Sequence, residues 1–542
     1  MGLNVVVASG STGIGVYVNV PGSPILEPLE IPGGVGQYPR YPDVVEYRRE
    51  HFIVGQPTSN LILLDDWLKL YKLGIEAPAT APTLAASGSG TVDGENIGYA
   101  TFRQKIGDTI IHESNGSDPT ATITFNGTQD RAWTDIPTTS DERVTHVVLY
   151  VSVDGAEPRE VVELTIGTTT HTEETAVGAL GGVMPTNNGV PPYARYAEIY
   201  HDRLWLSAGD DRVWYSELED FESFGENSYI PTRDGERITA LRRVRDQLVV
   251  GCRRVSYDIQ GYDEQDFNMR KISPSIGFLS HFAAKNIDER LWFPSEDGMY
   301  TFDGSQFANR MDGVLRGYWR EEFADNLVAY HAASAGIDSR WGVYRMLVKK
   351  PAPLKSFSWV GSFRDLEKGR PIRWSIDIRA REDNFFGQWD DGDGALKTIT
   401  TSCDGVIREE NVDSNGNDDG DEYQKQMTVL TGADYVGDAG GGLDHGKRFK
   451  DLEVYVENPT TAVTVNTYAG NPNCADGEPA EPFLIPATAV TGALSETRKK
   501  FGLTRTTGET MALELVAVAP VQVVYRGYAA TWMEGPRTRG RS

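Results

Sequence analysis

An all-β fold is predicted for this chain of 542 residues by three observations. Short apolar runs of strand length fill it, separated by 57 glycines and 28 prolines, the texture of a protein with many tight turns. A strand–turn–strand unit recurs, and the segments outside the recurring units, around 83–175 and 424–534, also read as strands between Gly, Asn and Asp turns. The recurring unit is clearest in HDRLWLSAGDDRVWYSE (201–217), RDQLVVGCRRVSYDIQG (245–261) and DERLWFPSEDGMYTFDG (288–304), with an earlier copy, REHFIVGQPTSNLILLDD, at 49–66. Leu204 lies 44 positions before Leu248, and Leu248 lies 43 before Leu291. A repeat of that length made of strands and turns is the pattern of a β-propeller blade.

Taken in order, residues 1–41 read as an N-terminal arm with a strand at 4–8 or 15–20 that closes the propeller by joining its last blade. The first blade occupies 42–75 and pairs HFIVG with NLILLDD across the turn 56–59. The run EAPATAP then marks a linker, because each proline pushes its predecessor out of helical space. Strands such as IGYATFRQ, RVTHVVLYVSVDG and REVVELTIG follow, so 76–192 is expected to be an inserted β-sandwich of fibronectin or immunoglobulin type. The remaining blades fill 193–410; each is preceded by an extra strand (ARYAEIY, RITALRRV, SHFAAKNI), and degenerate units at 327–348 and 374–399 bring the total to about six. An acidic loop at 411–423, a C-terminal β-domain at 424–534 and a basic tail at 535–542 complete the chain.

Seven aromatics recur in the hairpins: Trp205, Trp214, Tyr215, Tyr257, Trp292, Tyr300 and Phe302. Large flat residues fill the wedge between blades, and this packing role is preferred to a stacking site for sugars or bases. The densest basic cluster, Arg242, Arg243, Arg245, Arg253 and Arg254, is read either as a salt-bridged face or as a docking surface for an acidic neighbouring subunit. Overall, 52 basic and 78 acidic residues give a net charge of −26, which opposes any groove that grips nucleic acid.

Catalytic and metal patterns are absent from the sequence. Cys252, Cys403 and Cys474 form no CxxC pair, which argues against a disulfide framework or zinc site and for assembly in a reducing cytoplasm. The eight histidines show no HxH or HExxH spacing, no GxSxG surrounds a serine, and GSTGIG lacks the lysine of a phosphate loop. His201 and Asp202 read as turn-formers rather than a dyad. The Asn/Asp run 411–422 places Gln426 where an EF-hand needs its terminal Glu, so it reads as a solvated turn. SEDGMYTF is an imperfect, unrepeated version of the sialidase Asp-box, and no pair of carboxylates is singled out for glycoside hydrolysis. No cofactor is expected, no apolar stretch is long enough to span a membrane, and the N-terminus lacks the basic region of a signal peptide.

The units HDRLWLSAGDDRVWYSELEDFESF, RITALRRVRDQLVVGCRRVSYDIQG and PSIGFLSHFAAKNIDERLWFPSEDGMYTFDG together resemble the propeller of tail nozzle (tail tubular or hub) proteins of short-tailed bacteriophages. KLGIEAPATAPTLAASGSG resembles their passage from first blade to inserted sandwich, and THVVLYVSVDG and TTTHTEE resemble that insert's late strands. The resemblance covers roughly residues 45–393. It implies a non-enzymatic virion protein, assembled in the host cytoplasm as a ring, usually of six copies, below the head–tail adaptor. Such a ring extends the channel for double-stranded DNA and offers surfaces to fibres or spikes. A carbohydrate-binding adhesin is the alternative expectation, and a propeller glycosidase the next.

Overall fold

The computed structural model is all-β. It describes residues 42–48, 50–55, 60–64 and 69–305, shorter stretches between 309 and 402, and strands alone within 4–29 and 407–534. The chain divides into two compact units, Met1–Arg243 with Asp258–Arg270, and Val244–Tyr257 with Lys271–Ser542.

In the first unit, Asp43–Tyr47, Glu50–Val54, Leu61–Leu64 and Lys69–Lys72 form a four-stranded antiparallel meander. The runs HFIV and LIL are apolar without alternation because both faces of these inner strands are covered. A second meander of the same order comprises Tyr196–Tyr200, Arg203–Ser207, Arg212–Tyr215 and Tyr229–Pro231. The two meanders share one core, in which Phe52, Ile62 and Tyr71 of the first meet Leu204, Leu206 and Phe221 of the second part. Main-chain and side-chain bonds reinforce the join: Gly55 N–H donates to Ala194 O at 2.8 Å, and Asn60 Nδ2 to Pro192 O at 2.8 Å. Residues separated by more than a hundred positions are therefore neighbours, and the segment between them loops out.

That segment forms one six-stranded sheet in the order Arg159–Thr165, His146–Val153, Thr83–Ile106, Ile123–Thr134, His171–Glu173, with Thr109–Glu113 also on Thr83–Ile106. The sequence predicts a sandwich of separate sheets; here a single strand of 24 residues serves both halves. Its first part pairs with Ile123–Thr134 and its second with His146–Val153. Two register shifts near Gln129 and positive φ at Gly88 and Gly94 curl the sheet. The curl brings Trp133, which pairs with Leu84, over Gly98: a Cβ built there would lie 2.5 Å from the indole. Trp133, Phe102, Phe125, Val147 and Leu149 form the resulting core.

A further meander runs Ile238–Val244, Gln247–Cys252, Ser256–Gln260, Asn268–Ser273. The second unit adds Lys285–Ile287, Arg290–Ser295, Gly298–Phe302 and Asn309–Arg310, then Ser334–Asp338, Val343–Val348, Phe357–Ser362 and Trp374–Ile378, then a three-stranded sheet from Asp383–Asp390 to Ile407–Glu409. The extra strand expected before each hairpin is present as Tyr196–Tyr200, Ile238–Val244 and Lys285–Ile287. Tight turns follow it: His201 and Asp202 take φ of 48° and 50°, Asp288 and Glu289 take 48° and 61°. These are the left-handed angles of a type I′ hairpin, held here without glycine.

Three sequence expectations differ from the structure. Within the unit read at 327–348, residues 329–331 are helical and not strand. The unit read at 374–399 is divided, since Trp374–Ile378 closes one sheet and Asp383–Asp390 opens the next. The N-terminal arm, expected to hold one strand, forms a sheet in which Asn4–Gly10, Gly13–Asn19 and Leu26–Leu29 pair with one another. The register of the first two runs from Asn4↔Asn19 to Gly10↔Gly13. Beyond 424, a five-stranded and a four-stranded sheet form. The Asn/Asp run 411–422, Cys403, Cys474 and the basic tail lie outside the described residues.

Candidate functional site

Six of the seven predicted packing aromatics are buried, and Trp214 is half-buried. Trp205 packs against Tyr215 at 5.3 Å and Phe267 at 5.0 Å between ring centroids. In the second unit Trp292 meets Tyr344 at 5.6 Å and Trp374 at 6.1 Å. None of these buried rings presents an open face to a ligand.

The five predicted arginines are divided between the two units. In the first unit Arg242 lies 3.7 Å from Glu198, and Arg243 lines a cleft. In the second, Arg245 pairs with Glu289 at 3.2 Å, while Arg253 and Arg254 share Glu296 at 2.6 and 3.7 Å. The last three arginines are exposed, and pairs of that kind contribute little to stability.

The cleft beside Arg243, of about 340 Å³, is lined by Val45, Glu46, Tyr47, Glu198, Ile199, His201 and Asp202. The Tyr47 hydroxyl donates to Asp202 Oδ1 at 2.5 Å, and this bond raises the phenol pKa. Burial raises the Glu198 carboxyl against the opposing pull of Arg242. Three carboxylates, one guanidinium, a phenol and an imidazole give acceptors and donors for a polar group. There is no serine, cysteine or lysine among the lining residues, so a nucleophile with its base is not assembled there. Asp202 and His201 were read from sequence as turn-formers and are so placed; their lining of a cleft had no sequence signal.

A serine, a histidine and an aspartate do meet elsewhere in the first unit. Ser223 Oγ donates to Asp220 Oδ2 at 2.6 Å, and both face His112 Nδ1, at 3.4 and 3.5 Å. A hydrolytic triad needs the histidine between the other two, with one on each ring nitrogen. Here both lie on one nitrogen, Nε2 is buried with no partner, and Ser223 is fully buried. The group is a structural clasp between the six-stranded sheet and the loop after Arg212–Tyr215.

Burial lowers the His112 pKa, but the Asp220 hydrogen bond and the charges of Glu222 and Asp220 outweigh it and leave the group above its ordinary value. Asp220 ends below its ordinary value, because His112 and Ser223 overcome its own burial. Stability from a raised histidine is present below the unfolded pKa of about 6.5 and is lost as pH rises through the folded value. The melting temperature of wild type relative to His112→Gln is therefore expected to be highest in acid, down to where Asp220 protonates, and to shrink in alkali. A difference that grows with alkalinity would contradict the clasp.

Two buried arginines in the six-stranded sheet are also without sequence signal. Arg103 meets Glu113 at 2.8 Å, Glu160 at 3.0 Å and Glu163 at 2.5 Å, and Tyr150 donates to Glu113 at 2.7 Å. Arg131 meets Glu173 at 3.2 Å, and its Nε donates to Asn96 at 2.8 Å. Among the described residues, no group of three or more His, Cys, Asp or Glu side chains is arranged to hold a metal ion. Cys252 is buried, and among the described residues no helix is long and apolar enough to cross a membrane.

No protein-family model and no curated protein matches the chain. Solved structures do align. The computationally designed Ika8 protein covers 75% of this chain and 93% of its own, at 10% identity and a TM-score of 0.33. PorZ, a surface component of the type-IX secretion system of Porphyromonas gingivalis, covers 75% of this chain and 54% of its own, at 8% identity and 0.26. A family 43 arabinoxylan arabinofuranohydrolase from Bacillus subtilis covers 85% and 96%, at 10% identity and 0.18. Scores of this size carry no fold or activity over to the present chain.

Proposed function

We infer that this chain is a structural subunit of a phage tail, a nozzle whose copies form a ring extending the DNA-ejection channel. The observation that carries the reading is the serial order of meanders: one, then a looped-out six-stranded sheet, then further meanders. That is the order the nozzle resemblance implies, with the meanders as about six propeller blades. Propeller blades hold one another, which suits a channel under pressure, and a net charge of −26 per copy keeps passing DNA from adhering. The role is non-enzymatic; adaptor, fibre or spike proteins are the partners, and the virion tail is the location.

Native mass spectrometry of the purified chain, alone and with neighbouring virion proteins, tests this. A closed ring, of six copies by the resemblance, is expected. A monomer under both conditions would overturn the reading.

A further inference from the structure

We propose that Asn126–Gly127 is a built-in site of spontaneous covalent modification, at which the asparagine converts to aspartate and isoaspartate while two other Asn–Gly pairs are protected. The chain contains four such pairs, 115–116, 126–127, 188–189 and 415–416, the last outside the described residues. Glycine leaves its own nitrogen unhindered as a nucleophile, so each pair has the intrinsic chemistry. The fold decides which of them reacts.

At 126 the geometry favours attack. Asn126 is exposed, and Gly127 falls between paired rungs of the ladder, after Asn126↔Asp93 and before Gln129↔Val92. Gly127 has φ of +77°, and a Cβ built there would meet only Asp93, at 3.9 Å. The Asn126 side-chain oxygen accepts two hydrogen bonds, from Thr128 N–H at 3.1 Å and from Thr128 Oγ1 at 2.7 Å. Two donors on a carbonyl oxygen stabilise the negative charge that develops there when a nucleophile adds to the carbon. Thr128 thus gives this amide a small oxyanion site, open to water.

The other pairs are tied down. Gly189 N–H, the nucleophile of its pair, donates to Phe224 O at 3.0 Å, and Asn188 Nδ2 donates to Glu113 O at 2.8 Å. Gly116 lies under Met184, whose sulfur would stand 2.5 Å from a Cβ. Asn115 Oδ1 is tied at 2.8 Å to the N–H of Asn188, a distant segment that fixes the side chain, unlike the local bonds from Thr128 that move with Asn126.

In the step itself, Gly127 nitrogen loses its proton to water and bonds to Asn126 Cγ. The adduct expels ammonia and closes a succinimide. Water then opens either carbonyl, so one water enters and one ammonia leaves. The product adds a negative charge beside Asp93, and the isoaspartate form lengthens the backbone of the bulge that curls the sheet.

The test is peptide mass spectrometry of the full chain aged in mildly alkaline buffer, native and in urea, with isoaspartate methyltransferase labelling. In urea all three pairs are expected to convert at comparable rates. In the native protein, Asn126 converts first and Asn115 and Asn188 lag by roughly tenfold or more, because their contacts with distant segments must open before attack. Thr128→Val, an exposed change that spares the core, slows Asn126 by roughly three- to tenfold, the worth of one hydrogen bond. Native conversion at Asn115 or Asn188 at the rate of Asn126, or no native conversion at Asn126, overturns the site. An unchanged rate in Thr128→Val overturns the role of the hydroxyl.

Discussion

Arg143→Met is expected to cost the fold about 3–5 kcal/mol by leaving buried charges unpaired. The Arg143 side chain is fully buried, with Nη1 at 2.6 Å from Glu222 and Nη2 at 2.8 Å from Asp141. Nη2 also donates to Lys72 O at 2.8 Å and Gly74 O at 3.2 Å, and the guanidinium lies 5.1 Å from the Tyr71 ring centroid. One side chain thus joins the end of the first meander, the six-stranded sheet and the loop after Arg212–Tyr215. Methionine replaces its volume but leaves Glu222 and Asp141 as uncompensated charges and two carbonyls unsatisfied. Arg143→Lys keeps the charge and loses the planar fork, so an intermediate loss is expected. Urea titrations of the three proteins give the measurement; an Arg143→Met midpoint within error of wild type would show that the junction is held by its apolar contacts alone.

Trp133→Ala is expected to cost about 3–5 kcal/mol through the cavity left in the core of the six-stranded sheet. The indole is fully buried and lies over Gly98, where a Cβ would stand 2.5 Å from it. Gly98→Ala is the complementary change and is expected to cost about 1–3 kcal/mol by overpacking. Because the two residues share one contact, the double variant Trp133→Ala/Gly98→Ala should lose less than the sum of the single losses, the added methyl now entering the vacated space. Thermal melts of the three variants decide this. Additive losses would mean that the curl of the 24-residue strand does not depend on that contact.

Much of the backbone was readable without a structure. Leu204, Leu248 and Leu291 sit in equivalent strands because their flanking turns and apolar runs are local signals, sensed by residues a few positions away. The hairpin pairing of HFIV with LILL has the same origin. The boundaries at 329–331 and 374–378 were misread because a degenerate unit carries no turn signal that separates the last strand of one sheet from the first of the next. Arg103, Arg131 and Arg143 gave no sign of burial either, since an arginine beside apolar residues has the same local pattern whether its carboxylate partners lie near or far. Besides the nearer Glu113 and Asp141, their acceptors include Glu160, Glu173 and Glu222, residues 42 to 79 positions away.

By itself the chain's sequence determined its all-β class, the serial meanders, the break after the first of them, the acidic charge and the placement of hydrophobic aromatics. All of these are properties of composition or of neighbours along the chain. Only the tertiary structure decided that 83–173 is one curled sheet and not two, that Ser223, His112 and Asp220 make a clasp and not a triad, and that Thr128 holds the Asn126 amide while Asn188 is locked. Those outcomes depend on distances and angles between groups, and on which polar atoms burial leaves with a single available partner.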